Sequence, residues 1–240
     1  MFDIIIVSAE KDFNKLGYVY DSIMSNIVDP FGEVYLISNK KHNISCEVIN
    51  YLDDEVLKID RSDIPYRPNW IAQQYLKMFQ AVTENDYYLV VDSDVIFNKL
   101  ITIFENDKPT FFFGRNQNYA PYFEYSQKML GVGREYSRSF INEFMLFDKR
   151  IIREMVSKFD NNRFEFIRRS NDILSETCHL SEFELYGNYV YELHGDTYNY
   201  KNIKAHLGGK HSVWSDRAIE ERIEAMSGTD YDVFTLHSWC

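Results

Sequence analysis

The chain has 240 residues, a hydrophobic content of 45% and a formal net charge of −11. This length allows one large domain, and the apolar content suffices for a full core, which excludes disorder as the default state. The acidic balance argues against a nucleic-acid backbone as partner, whereas a nucleotide diphosphate stays admissible where a metal supplies the positive charge.

Cys46, Cys178 and Cys240 are widely spaced, odd in number and without metal-type spacing, which points to a reducing compartment. Met1 to Val7 is too short and too acidic for a signal peptide, and no run approaches membrane-spanning length. The expectation is a soluble, cytoplasmic protein with no transmembrane segment. Its many Tyr and Phe residues suit carbohydrate or nucleotide contact and ordinary packing alike.

Phe2 to Val7 reads as a strand that ends in the polar loop Ser8-Ala9-Glu10-Lys11-Asp12. A first strand followed by a ligand-facing loop is how a nucleotide-binding α/β half begins. Lys15 to Ile27 has helical apolar spacing, Val34 to Ile37 is a second strand, and Cys46 to Ile49 a short third one. Strand, helix, strand in sequence implies a parallel sheet with a right-handed crossover. Asp53 to Pro68 is an acidic connection. Asn69 to Val82 is an amphipathic helix whose apolar stripe is Ile71, Tyr75, Met78, Phe79 and Val82. Its opposite stripe, Trp70, Gln73, Gln74 and Lys77, falls near the mouth of a crevice or forms a solvated face.

Tyr87-Tyr88-Leu89-Val90-Val91 then runs straight into Asp92-Ser93-Asp94, and Val95-Ile96-Phe97 follows. An unbroken apolar run with β-branched residues and no Gly or Pro reads as a strand buried on both faces. A buried carboxylate pair is very costly without a counter-charge. At the carboxyl end of a strand in an open α/β sheet, the pair instead faces the crevice where ligands bind. Two hard oxygen ligands there suit Mg²⁺ or Mn²⁺, and a divalent metal suits a diphosphate. The alternative is a loop whose two solvated Asp residues cap the next turn.

Pro109 to Phe113 is a further strand, closing at Gly114-Arg115-Asn116-Gln117-Asn118. Arg115 in this loop either reaches a phosphate or sugar carboxylate or pairs with surface acids. Ala120 to Val132 carries Tyr122, Phe123 and Tyr125 over the site. Phe140 to Phe147 reads as a strand that includes Asn142, and Asp148 starts a helix from Lys149 to Phe159. Ser181-Glu182-Phe183-Glu184 suits a helix N-terminus. Phe183, Tyr186 and Val190 share one face of that helix; Glu182 flanks it, and Glu184 falls on the opposite side, toward solvent. A carboxylate on the inward edge of an apolar face is expensive unless it has a task or a partner, which singles out Glu182. Its other reading is an N-terminal charge favoured by the helix dipole. Ala218 to Met226 closes the chain as a charged helix.

Asp92-Ser93-Asp94 behind its apolar strand resembles the Asp-x-Asp motif of GT-A fold glycosyltransferases. Trp70-x-x-Gln73-Gln74-x-x-Lys77 ahead of that strand, and Ser181-Glu182-x-Glu184-x-Tyr186-Gly187-Asn188-Tyr189, are similar to a family of bacterial and viral glycosyltransferase-like proteins. The resemblance implies that Asp92 and Asp94 hold Mn²⁺ or Mg²⁺ against the donor's two phosphates. It implies that Ser8 touches the donor's base or ribose, that Gln74 and Lys77 face the nucleotide sugar, and that Asn142, on a strand lining the acceptor side, bonds a sugar hydroxyl; Trp70, Ser93 and Arg115 are further candidates for donor contact. The segment from Ala205 to Trp214 resembles the C-terminal His-x-x-Gly stretch of some GT-A transferases. That makes His206 the third metal ligand, ahead of His211, and sets Gly209 and Lys210 beside the diphosphate.

The expected fold is therefore α/β of GT-A type, a single domain over residues 1–240 with a mostly parallel sheet flanked by helices. Residues 1–118 form its nucleotide-sugar half and 119–240 its acceptor half. The expected reaction is metal-dependent, inverting transfer of a sugar from a nucleotide-diphosphate donor, with UDP favoured, to a hydroxyl of a glycan or glycoconjugate. Glu182 is the expected general base. A nucleotidyltransferase acting on sugar phosphates is one rival, disfavoured because the loop after the first strand has no Gly and no basic cluster. A non-catalytic carbohydrate-binding module is the other; it would need no Asp-x-Asp.

Overall fold

The computed structural model describes residues 1–42, 46–113, 118–134, 137–207 and 214–238. Strand β1 (Phe2–Ser8) is buried along its whole length. Its side chains alternate between two cores: Ile5 and Val7 enter one, Phe2, Ile4 and Ile6 the other. Period-two alternation with apolar residues at every position gives a strand covered on both faces. After β1 come α1 (Leu16–Asn26), β2 (Val34–Ser38), β3 (Ile49–Leu52), α2 (Asp53–Leu57) and α3 (Pro68–Met78). The middle of the chain forms β4 (Tyr87–Asp92), β5 (Val95–Phe97), β6 (Phe104–Glu105), β7 (Lys108–Phe113), α4 (Ala120–Leu130) and β8 (Phe144–Asp148). The last third forms α5 (Lys149–Ser157), α6 (Arg163–Ile173), α7 (Glu182–His194), β9 (Asn199–Asn202), β10 (Ala205–His206), α8 (Asp216–Met226) and β11 (Val233–Thr235).

The main sheet has the order β3-β2-β1-β4-β8. Its first four strands are parallel, and β8 runs antiparallel to β4. Two three-stranded sheets, β10-β11-β5 and β6-β7-β9, flank it. Helices α3, α5, α6 and α7 supply Ile71, Ile151, Phe166 and Leu185 to the core on the Ile5 side. Helices α1 and α8 supply Val19 and Ile219 on the Ile4 side. Each such apolar side chain, fully buried, is worth about 1.5–3 kcal/mol. Side-chain caps start the later helices: Asp148 accepts from the Arg150 N–H at 2.8 Å, and Asn162 from Phe164 at 2.9 Å.

Several boundaries differ from those expected. The helix over 69–82 ends at Met78, because Phe79 leaves the helical region (φ −104°, ψ 68°). The third strand begins at Ile49 rather than Cys46, and the acidic connection contains α2. The strand expected from Phe140 begins only at Phe144, because Glu143 is in the left-handed region (φ 63°) and breaks the extended run. Helix α6 had no counterpart in the expected elements. On α7, Gly187 lets the helix lie directly on Phe140: a Cβ there would sit 2.2 Å from the Phe140 ring.

Candidate active site

The parallel register of β1 and β4 sets Val7 opposite Asp92, so Ser8 and Asp92 finish their strands side by side. The Asp92 N–H donates to the carbonyl of Glu143 at 2.9 Å, which ties the strand end to the left-handed residue ahead of β8. Three residues later β5 pairs antiparallel with β11, Val95 opposite Thr235. The Leu236 N–H then donates to the Asp94 carbonyl at 2.8 Å. That extra rung brings the next residue, His237, to the site: its Nδ1 lies 3.0 Å from Asp94 Oδ2. The Trp214 indole N–H donates to the His237 carbonyl at 3.0 Å and fixes the segment. Beside it, fully buried Lys15 bonds Asp12 Oδ1 at 2.5 Å and Ser238 Oγ at 2.7 Å.

These residues wall a cleft of about 540 Å³. Ser8, Asp92, Ser93, Asp94, Glu143 and His237 form one part of its lining, and Trp70 and Gln73 of α3 another. A third part is Asn39, Asp53, Arg61 and Asn69. There the Arg61 guanidinium pairs with Asp53 and donates to Asn69 Oδ1 at 3.1 Å. Trp70 lies nearly parallel to Tyr122, ring centres 6.3 Å apart, with the Arg67 guanidinium 4.7 Å over its ring.

Behind the cleft wall sits a buried ion triad. Lys77 Nζ lies 2.6 Å from Asp92 Oδ1 and 2.8 Å from Glu182 Oε1. Burial opposes the charge on Lys77, but Asp92 and Glu182 outweigh it and hold the ammonium above its usual pKa. Burial pushes the Glu182 carboxyl up, opposed by Lys77 and reinforced by Asp92. For Asp94, burial also acts upward, but His237, Lys15 and Lys77 outweigh it and hold the carboxyl below its usual value.

Ser8, Trp70, Asp92, Ser93 and Asp94 are thus brought together in one cleft. Gln74 and Lys77 are not on an open face: they are 3% and 4% exposed, and Gln74 Nε2 donates to the Trp70 carbonyl. The sheet covers one side of α3 and α7 packs on another, which leaves the Trp70 and Gln73 edge to the cleft and encloses Gln74 and Lys77. Glu182, 1% exposed, lies behind Lys77 rather than on the cleft wall. The expectation that Glu184 points to solvent fails as well. It is 1% exposed, accepting from Ser139 Oγ at 2.5 Å and Asn188 Nδ2 at 3.0 Å, because α4 covers the outer face of α7.

His206 is held elsewhere: the Arg222 guanidinium lies 2.8 Å from its Nδ1, and its ring meets Tyr231 edge-on. The histidine at the Asp-x-Asp segment is His237. Arg115, Gly209, Lys210 and His211 lie outside the described residues. Asn142 is buried, its two amide atoms have no hydrogen-bond partner among the described residues, and it does not line the cleft. His237 and Glu143 carry no local sequence signal, since a backbone rung and a left-handed φ bring them to the site. Among the described residues no group of three or more His, Cys, Asp or Glu side chains is arranged to hold a metal ion.

The sequence matches the family described as "Family of unknown function (DUF6492)" over residues 15–230. No curated protein matches it. Among solved structures, an active-site mutant of LgtC is similar at 12% identity and a TM-score of 0.52, over 98% of this chain and 86% of that one. Galactosyltransferase LgtC in complex with donor and acceptor sugar analogs matches at 11% identity and a TM-score of 0.47, with the same coverage. The first likeness shows the fold: α/β of GT-A type, a mostly parallel sheet flanked by helices. Among the described residues no helix is long and apolar enough to cross a membrane.

Proposed function

We propose a glycosyltransferase function for this chain, which belongs to the DUF6492 family: transfer of a sugar from a nucleotide-diphosphate donor to an acceptor hydroxyl, with a divalent metal. One observation carries the reading. Asp94 and His237, far apart in sequence, meet at 3.0 Å in a cleft at the C-terminal ends of β1 and β4 that Asp92 also lines. Ligands of open α/β sheets bind at that end, and a cleft of a few hundred Å³ takes a molecule of this size.

The Asp92 and Asp94 carboxylates are hard oxygen donors that suit Mn²⁺ or Mg²⁺, and the His237 imidazole favours Mn²⁺ of the two. Asp92 engages Lys77 through Oδ1 and keeps Oδ2 for the cleft. A divalent ion held by one or two carboxylates completes its shell from substrate phosphates and water, so three converging protein ligands are not required. Bound there, it would supply stabilisation of charge on the leaving diphosphate. The chain's own residues do the rest. Lys77 fixes Asp92 and neutralises part of the acidic floor. Ser8 and Ser93 offer hydroxyls to the nucleotide, and Trp70 offers a flat apolar face. Glu143, on the wall beside Asp92, takes the acceptor proton; Glu182, sealed behind Lys77, holds that lysine in place.

A thermal-shift screen of nucleoside diphosphates, UDP first, with and without Mn²⁺, tests this reading. A ligand at a hundred times its Kd adds about 2.7 kcal/mol of stability. Stabilisation by one diphosphate only with metal is the expected result; equal stabilisation in excess chelator, or none by any of them, overturns it.

A further inference from the structure

The opposite end of the β4–β8 pair carries a second cleft of about 430 Å³, which shares no residue with the first. It lies where α3 ends and α5 begins, next to the pairing of Tyr87 with Asp148. Five residues of strand, roughly 17 Å, separate that pairing from Asp92. One part of its wall is apolar: Phe79, Ile152 and Val156. The other part is Lys149, Arg153 and Arg163.

Three of the chain's 26 basic side chains line this one cleft. Here Lys149 donates to the Thr83 carbonyl at 2.6 Å and Arg163 to the Val56 carbonyl at 3.3 Å, both neutral acceptors. Arg153 is exposed, and none of the three forms an ion pair among the described residues. Asp86, Glu84 and Asp3 lie near enough to Lys149 to favour its charge, yet burial and Arg153 outweigh them and hold it below its usual value. Lys149 and Arg153 repel each other across this wall, and an anion relieves them. Guanidinium groups suit carboxylate and phosphate oxygens in particular.

We infer that this cleft binds a small anion with an apolar body: a carboxylate or phosphate ester seated on Lys149, Arg153 and Arg163, with an alkyl or aryl portion against Phe79, Ile152 and Val156. The site stands independently of the function proposed for the first cleft. Its ligand comes either from solution or from the headgroup and chain of an anionic lipid.

Calorimetric titration of the full chain with octyl phosphate, below its micellar concentration, tests this. Saturable binding is expected, with inorganic phosphate and octyl glucoside each weaker by tenfold or more. Arg153→Ala, at an exposed position, should weaken octyl phosphate at least fivefold with the melting temperature unchanged, and Asp94→Asn should leave it unaltered. Co-sedimentation with vesicles containing anionic phosphatidylglycerol assigns the source. Sedimentation that octyl phosphate competes away makes it a lipid; octyl phosphate binding without sedimentation makes it a soluble anion; both uphold the site. Absence of octyl phosphate binding, binding indifferent to Arg153→Ala, or inorganic phosphate binding equally well overturns the inference.

Discussion

Lys77 Nζ lies 2.6 Å from Asp92 Oδ1 in the interior, so the first carboxylate of the Asp-x-Asp segment carries a counter-charge from the protein itself. Glu182, 2.8 Å from the same ammonium, completes the set. Removing one partner of a buried ion pair leaves the other uncompensated and costs about 3–5 kcal/mol. Lys77→Met should therefore destabilise the fold by that order in urea denaturation. Lys77→Met with Glu182→Gln should recover part of the loss, since one bare charge then goes too. A single variant as stable as wild type would remove the triad from the stability of the fold.

The same triad gives an alkaline signature. Asp92 and Glu182 raise the Lys77 pKa in the folded chain, so the folded state binds this proton more tightly than the unfolded one. The stability it contributes is complete below the ordinary lysine value of about 10.4 and is lost as pH rises beyond it. Buried Tyr88 and Tyr125, also raised by burial, add an alkaline loss shared by wild type and variant. The stability gap between wild type and Lys77→Met should thus narrow from about pH 9 to about pH 11.5. A constant gap in denaturation curves across that range would contradict the direction given for Lys77.

His237, not His206, stands at Asp94. His237→Ala and Asp94→Asn should each weaken Mn²⁺-dependent nucleoside diphosphate binding by about 10–100-fold or more, given that even outer-shell partners of a metal matter by that factor. His206→Ala should leave it near wild type. Titration of Mn²⁺ into each variant with diphosphate present checks this. An inert His237→Ala beside a defective His206→Ala would reverse the assignment.

Of the cleft's carboxylates outside the Asp-x-Asp pair, Asp12 pairs with Lys15 and Asp53 with Arg61, while Glu143 lies at the end of the Asp92 strand. Loss of a general base typically costs about 10²–10⁴-fold in rate. Transfer by Glu143→Gln should fall by that order, with diphosphate affinity close to wild type. Glu182→Gln should show itself first as altered stability, through Lys77. Steady-state rates alongside melting curves separate the two; full activity in Glu143→Gln would return the base to another residue.

Gly187 faces Phe140 with no room for a side chain. Gly187→Ala must displace the ring or the helix, and overpacking of this kind costs about 1–3 kcal/mol. Thermal unfolding should show the loss, and an unchanged melting temperature would mean that α7 shifts freely on Phe140.

The sequence alone determined the α/β class, the strand that ends at Asp92 and the role of Asp92-Ser93-Asp94 as its cleft-facing terminus. Those features are local: an unbroken apolar run has one stable place, the middle of a sheet, and charges at its end must leave it. Trp70 and Ser8 were legible for the same reason, each lying next to a strand or helix end of fixed direction. Only the tertiary structure decided which faces of α3 and α7 meet solvent. A helical wheel assumes one covered side, whereas these two helices are covered on both, which turned Gln74, Lys77 and Glu184 inward. It likewise set His237, rather than His206, beside Asp94, because a single backbone hydrogen bond from Leu236 to Asp94 joins residues 142 positions apart, and no spacing in the chain encodes that rung.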